Sequence, residues 1–299
     1  MRRGKEDGVS RAMSIDRRTL LAAFPVIVAG AGRAHAEDAA STLRGFEQRV
    51  GGRIGLFAEN QATGARIAWR AEERFTMCST FKASLAACVL ARVDRGEDRL
   101  DDMVTYGQAD IQEYAPAAKA NLAKGGMSIA DMCQAAVEIS DNTCANMLLA
   151  RIGGPPALTA FWRATGDTVT RLDHYEPELN RSQPPDIRDT TTPEAMAGSL
   201  RRFVLGDVLS PPSRERLTGW MRECKTGLDL LRAGLPADCI VADKTGNNGK
   251  DVIGDIAVAW RQPDRPLVIC AYTQGGSATA PQLHALLEDI GRLVGRQIA

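Results

Sequence analysis

Metal ligands are scarce in this sequence. It holds three histidines, His35, His174 and His284, and no two of its cysteines form a C-x-x-C pair. That excludes a zinc site of the usual clustered Cys/His kind, and no metal or cofactor is expected. No apolar run is long enough to cross a bilayer. An excess of either charge is also lacking, since 37 Lys and Arg balance 37 Asp and Glu. Residues 1–36 hold seven basic and three acidic side chains, leaving 30 basic and 34 acidic in a mildly acidic remainder. Without a basic stripe, nucleic acid is not an expected partner. There is no internal repeat and no low-complexity tract. Cysteines stand at 78, 88, 133, 144, 224, 239 and 270, so at least one thiol is free or pairs between molecules. Most read as small buried apolar residues.

What is present begins with a leader pattern. Arg17-Arg18 precedes an apolar run from Leu20 to Gly30, and Ala34-His35-Ala36 supplies a small-x-small cleavage site before Glu37. Paired arginines fit a twin-arginine signal and an ordinary secretory signal alike, and Met13 is a plausible start. Residues 1–36 are therefore expected to be a cleaved signal peptide. The remainder, 37–299, is expected to be periplasmic or secreted, monomeric and free of the membrane.

Periodicity then separates two kinds of structure. Residues 38–50 carry Leu43, Phe46 and Val50 at helical spacing, and Arg53–Glu59 and Arg66–Trp69 alternate as a hairpin around a Gly64 turn. Helical patterns cover Ser79–Asp94, Ser128–Ser140, Thr143–Ile152, Pro156–Thr165, Thr192–Leu205 and Ser213–Arg222, with almost no strand among them. Three β-branched runs follow, Cys239–Lys244, Val252–Trp260 and Pro266–Thr273, before a closing amphipathic helix from Pro281 to Ile298. The expected fold class is α/β of the α+β kind. An antiparallel sheet from both chain ends (37–76 and about 223–299), flanked by terminal helices, packs on a helical lobe (about 77–222). A site would lie in the cleft between them.

Four stretches carry chemistry. Ser79 and Lys82 stand three apart where a helix begins, so hydroxyl and ammonium share one face beside a partly positive helix end. A neutral lysine there can activate the serine. Alone this means little, for composition yields about one Ser-x-x-Lys in a chain this long. Ser140-Asp141-Asn142 sits between two helices, where an irregular link can point side chains into a cleft. Lys-Thr-Gly occurs twice. Lys225-Thr226-Gly227 follows a helix and reads as its glycine cap, whereas Lys244-Thr245-Gly246 ends a strand and puts a cation on a sheet edge. Lastly, the aperiodic stretch Gly166–Thr191 is long for a loop and carries Glu176 and Asn180 four apart, able to hold a water between them.

Ser79-x-x-Lys82, Ser140-Asp141-Asn142 and Lys244-Thr245-Gly246, in that order, match the motif set of class A β-lactamases and penicillin-binding proteins. The chain resembles a class A serine β-lactamase over essentially all of residues 37–299. Glu176-Pro177-Glu178-Leu179-Asn180 resembles that family's Ω-loop. The resemblance implies hydrolysis of penicillins and cephalosporins, small-molecule substrates, through an acyl-enzyme on Ser79, and hence antibiotic resistance. Lys82, or Glu176 through a water, would take the serine proton. Ser140 would protonate the leaving nitrogen, and the backbone N–H groups of Ser79 and Asn247 would form the oxyanion hole. Lys244, Thr245 and Gly246 would meet the substrate carboxylate, and Asn142 its acylamide. Asn180 would help hold the deacylating water, and Tyr114 would wall the cleft mouth. The alternatives are a D,D-peptidase and a β-lactam sensor that is acylated without turnover.

The sequence departs from the family in three places. Ile253 stands where many members carry a carboxylate-binding arginine, and His284 is the candidate replacement. The Ω-loop neck, an Arg–Asp pair in many members, is His174 and Asp189 here; a histidine carries charge only in acid, which would make the clamp pH-sensitive. Cys133 matches a family cysteine whose partner position is Ala86, and Cys78 one whose partner position is Asn248, so neither bridge is expected.

Overall fold

The computed structural model describes residues 28–299, with side chains from 38 onward. The paired arginines and Met13 lie outside the described residues. In chain order the elements are α1 (Val28–Val50), β1 (Arg53–Asn60), β2 (Arg66–Trp69), β3 (Phe75–Thr76), α2 (Phe81–Asp94), β4 (Met103–Thr105), α3 (Pro116–Asn121), β5 (Gly126–Ser128), α4 (Ile129–Glu138), α5 (Asn142–Ile152) and α6 (Pro155–Ala164). They continue with β6 (Thr190–Thr191), α7 (Pro193–Val204), α8 (Pro211–Arg222), α9 (Leu231–Gly234), β7 (Ile240–Asn247), β8 (Ile253–Trp260), β9 (Pro266–Gln274) and α10 (Ala280–Gln297).

Five strands form an antiparallel sheet in the order β2-β1-β9-β8-β7, which joins the two ends of the chain and leaves β7 at an edge. All but β2, whose Arg66 and Ala68 are exposed, are buried on both faces. On the outer face Ile54, Leu56, Ile269 and Ala271 meet Leu43 and Phe46 of α1 and Leu283, Leu287, Ile290 and Val294 of α10. Those α10 residues recur at three and four, so one stripe is apolar, and the Thr279–Gln282 capping box starts the helix. On the inner face Phe57, Ile256, Val268 and Tyr272 pack with the helical part of the chain. Its axis is α2, buried continuously from Phe81 to Ala91; a helix apolar on all sides belongs inside a bundle rather than on a surface.

One detail differs from the sequence reading and another adds to it. Strands do occur in the helical region, as the two-stranded ladders β3–β6 and β4–β5. Each strand is two or three residues long, too short to show a period. Position along β7 also assigns sides. Ala242 belongs to the inner core and Val241 to the outer, so alternation puts Lys244 on the inner face and Asp243 and Thr245 on the outer.

Candidate active site

Ser79 lies in a single 3-10 turn, Cys78–Thr80, immediately before α2, and Lys82 lies in the first turn of α2. Cys78 has φ 45° and Ser140 φ 60°, left-handed values that cost a non-glycine residue about 1–3 kcal/mol and persist only under tertiary constraint. Part of that constraint is visible. Thr80 Oγ1 donates to Met77 O at 2.7 Å, and the end of β7 presses on the turn. A Cβ on Gly246 would lie 2.7 Å from Ser79 N and 2.8 Å from Met77 O, so only glycine lets the strand approach.

The link between α4 and α5 brings the second motif to the same place. Asp141 caps α5 through Oδ1, which accepts from Cys144 N at 2.9 Å. Its Oδ2 accepts from Ala117 N at 2.9 Å and Ala118 N at 3.0 Å, tying α3 to the junction. Ser140 and Asn142 on either side then face Lys82. The Lys82 Nζ donates to Ser140 O at 2.8 Å and to Asn142 Oδ1 at 2.5 Å, and lies 3.1 Å from Glu176 Oε1. Ser140 Oγ lies 3.3 Å from Lys82 Nζ and 3.2 Å from Lys244 Nζ, so two cations flank one hydroxyl.

Glu176 comes from the long loop. Ser79 Oγ donates to its Oε1 at 2.8 Å, and Asn180 Nδ2 donates to its Oε2 at 2.7 Å. Burial alone would raise this carboxyl. The Lys82 ammonium and the hydrogen bonds from Ser79, Lys82 and Asn180 outweigh it and hold the group below its ordinary range. Burial pushes Lys82 down from the usual lysine value against the pull of Glu176. Burial likewise lowers Lys244, to about 8, with the Lys82 charge acting in the same direction. Asn180 Oδ1 is buried and has no hydrogen-bond partner.

Several side chains outside the sequence motifs complete the arrangement. Asn146, one turn after Asn142 on α5, grips the Glu176 backbone from both sides: Nδ2 donates to Glu176 O and Oδ1 accepts from Glu176 N, each at 2.9 Å. Its i+4 spacing from Asn142 was the one available signal. At the loop neck, His174 Nδ1 lies 2.6 Å from Asp189 Oδ2, while Asp189 Oδ1 accepts from the backbone N–H groups of Asp173 at 2.7 Å and His174 at 3.0 Å. Tyr114 is half exposed, and its carbonyl accepts from Asn142 N at 3.0 Å. Asn247 ends β7 opposite Ile253.

Two readings change. Lys225-Thr226-Gly227 is not the cap of α8, which ends at Arg222 with Glu223 following; Thr226 Oγ1 lies 2.6 Å from Thr245 Oγ1 instead. His284, the candidate replacement for an arginine, has its Nδ1 2.6 Å from Asp229 Oδ2, so its ring is already engaged. All seven cysteines carry free thiols.

A buried serine bonded to a carboxylate that is itself ion-paired to a lysine three residues from that serine is the constellation of an acyl-transfer enzyme. The model of the β-lactamase enzyme family matches residues 38–298. The chain belongs to the class A β-lactamase family. β-Lactamase L2 of Stenotrophomonas maltophilia is 43% identical over 92% of this chain and 93% of its own length. A β-lactamase of Amycolatopsis lactamdurans is 44% identical over 81% and 79%. Among solved structures, an ancestral class A β-lactamase superposes with a TM-score of 0.83 at 52% identity, covering 86% of this chain and 99% of that one. A β-lactamase of Xanthomonas campestris gives 0.86 at 43% identity, covering 89% and 99%. Among the described residues, no helix is long and apolar enough to cross a membrane.

Proposed function

We propose that the protein hydrolyses penicillins and cephalosporins in two steps through an acyl-enzyme on Ser79 and so confers resistance to them. The observation that carries this is the sharing of Glu176 Oε1 by Ser79 Oγ at 2.8 Å and Lys82 Nζ at 3.1 Å. While it is an ammonium, Lys82 gives its protons to acceptors on Ser140, Asn142 and Glu176 and has no lone pair to offer the serine. Glu176 therefore takes the serine proton as Oγ attacks the lactam carbonyl. Without the Glu176 charge, Lys82, whose charge burial already disfavours, can lose its proton and act as the slower base. The carbonyl oxygen moves toward the Ser79 and Asn247 backbone N–H groups, which stabilise its developing charge. When the C–N bond breaks, Ser140 passes its proton to nitrogen. Lys82 refills it and is recharged from Glu176, since it touches both.

In the second step Glu176, ionised again, takes a proton from water. Asn180 Oδ1, the unpartnered buried acceptor, would hold that water's other hydrogen. The hydroxide cleaves the ester and the proton returns to Ser79. Lys244 and Thr245 bind the substrate carboxylate as a cation and a donor on the β7 edge. Asn142, its oxygen occupied by Lys82, has its N–H₂ left for the acylamide carbonyl, and Tyr114 forms the outer wall. The leader pattern supports export to the periplasm or beyond.

Mixing with benzylpenicillin and following intact mass tests the reading. A short-lived adduct on Ser79 that decays as penicilloate accumulates is expected. A stable adduct without released product would instead make the protein a peptidase or sensor.

A further inference from the structure

Thr226 belongs to the Lys-Thr-Gly that reads as a helix cap, yet its hydroxyl oxygen lies 2.6 Å from that of Thr245. Behind it Cys224 Sγ lies 3.4 Å from Thr226 Oγ1. The segment is pressed onto the sheet edge: a Cβ on Gly227 would fall 2.0 Å from Asp243 Oδ2 and 3.2 Å from Thr245 Cγ2. Lys225 N donates to Glu138 O at 2.8 Å and fixes the near end. A buried thiol and two hydroxyls thus stand in a row that ends on β7, where the substrate carboxylate would lie.

Each of these groups has one proton to give. If Thr245 donated to Thr226, it would turn only lone pairs toward an anion. If Thr226 donates to Thr245, the Thr245 proton is free for the anion, and Thr226 can accept from the Cys224 S–H. Burial raises the Cys224 thiol above its ordinary value, so it stays protonated and can donate.

We propose that Cys224, Thr226 and Thr245 form a one-way hydrogen-bond row that aims the Thr245 proton at the substrate carboxylate, with Thr226 as the positioning residue. This rests on Lys244 and Thr245 being the carboxylate-binding edge. It also gives the chain carboxylate contact at a sheet edge whose neighbouring strand offers Ile253 rather than a cation.

The test compares a penicillin with its methyl ester, which keeps the lactam and removes the anion. The readout is the ratio of kcat/KM for acid over ester. Thr226→Val is expected to lower that ratio about tenfold, chiefly through KM for the acid, as loss of an aligned donor to a charged group should. Thr226→Ser should restore it, and Cys224→Ala should lower it about threefold, in line with a neutral hydrogen bond one step removed. Thr226→Ala deletes the same donor and carries the comparison if valine prevents folding. Equal losses for acid and ester, or failure of serine to rescue, would overturn the proposal. Thr245→Val separates the two readings: a ratio that collapses there but holds in Thr226→Val removes the role of Thr226 alone. A ratio that holds in both removes the carboxylate edge itself.

Discussion

Ser79, Lys82 and Ser140 stand at the starts and junctions of buried helices, whereas Glu176 and Asn180 hang from a loop held by side-chain-to-backbone bonds. The first group is braced by α2, by the Asp141 cap and by the β7 edge packed on Gly246. The second depends on Asn146 gripping Glu176 and on Asp189 gathering the loop neck. The first set is indispensable to forming the acyl-enzyme, and the second to releasing it. Changes in the loop should therefore slow acylation, which Lys82 can still serve as base, but impair release far more, and changes at the helix starts should stop both.

Ser79→Ala gives the largest expected effect. It removes the nucleophile, and hydrolysis should fall by about 10⁴-fold or more, as for other members of a catalytic unit that acts as one. No adduct with benzylpenicillin should form. Glu176→Gln should come next, and it divides the two steps. The amide can still accept one hydrogen bond but cannot take a proton, so the release rate should drop about 10³-fold, within the range of general-base contributions. Adduct should accumulate to stoichiometry. If adduct fails to appear even slowly, Glu176 is indispensable for acylation as well, and the division of labour drawn above collapses.

Asn146→Ala probes the support of the loop rather than its chemistry. It deletes two hydrogen bonds to the Glu176 backbone, a loss of about 1–3 kcal/mol when the stranded groups are buried. A fall of several degrees in Tm is expected, with adduct lifetime lengthened more than adduct formation is slowed. Equal slowing of both steps would show that α5 serves the nucleophile and the loop alike.

What could be read in advance divides along the same line. The helix-borne residues sit in short contiguous motifs, because a helix start or a strand end fixes several side chains at once. The terminal strands and helices were visible because α10 and β7–β9 each run long enough to show a period. Asn146, Thr226 and the β3–β6 ladder were not legible. Each acts across the chain, Asn146 on a residue 30 positions away and Thr226 on one 19 away, and such contacts exist only after folding. Thr226 was hidden further by standing in a copy of the very motif it supports.

The smallest expected effect concerns pH and belongs to the acyl-forming side. Lys244 titrates at about 8, because burial disfavours its charge and Lys82 repels it. Below that pH it is an ammonium beside Ser140 and the substrate carboxylate; above it the cation is lost. Accordingly kcat/KM should fall about tenfold per pH unit above about 8. Where release limits turnover, kcat should stay flatter, since release is driven by Glu176 and Asn180. Stability is the poorer readout. The charged form of Lys244 costs stability in acid, and that cost is relieved as pH rises from about 8 toward the ordinary lysine value. Buried thiols such as Cys78, Cys88 and Cys270, raised by burial, act with the opposite sign: they keep their protons when folded and lose them when unfolded, so stability falls above the usual thiol range. A melting curve sums both, whereas the ratio of kcat/KM to kcat isolates the lysine. Parallel alkaline loss in both kinetic constants would place Lys244 in release as well as capture.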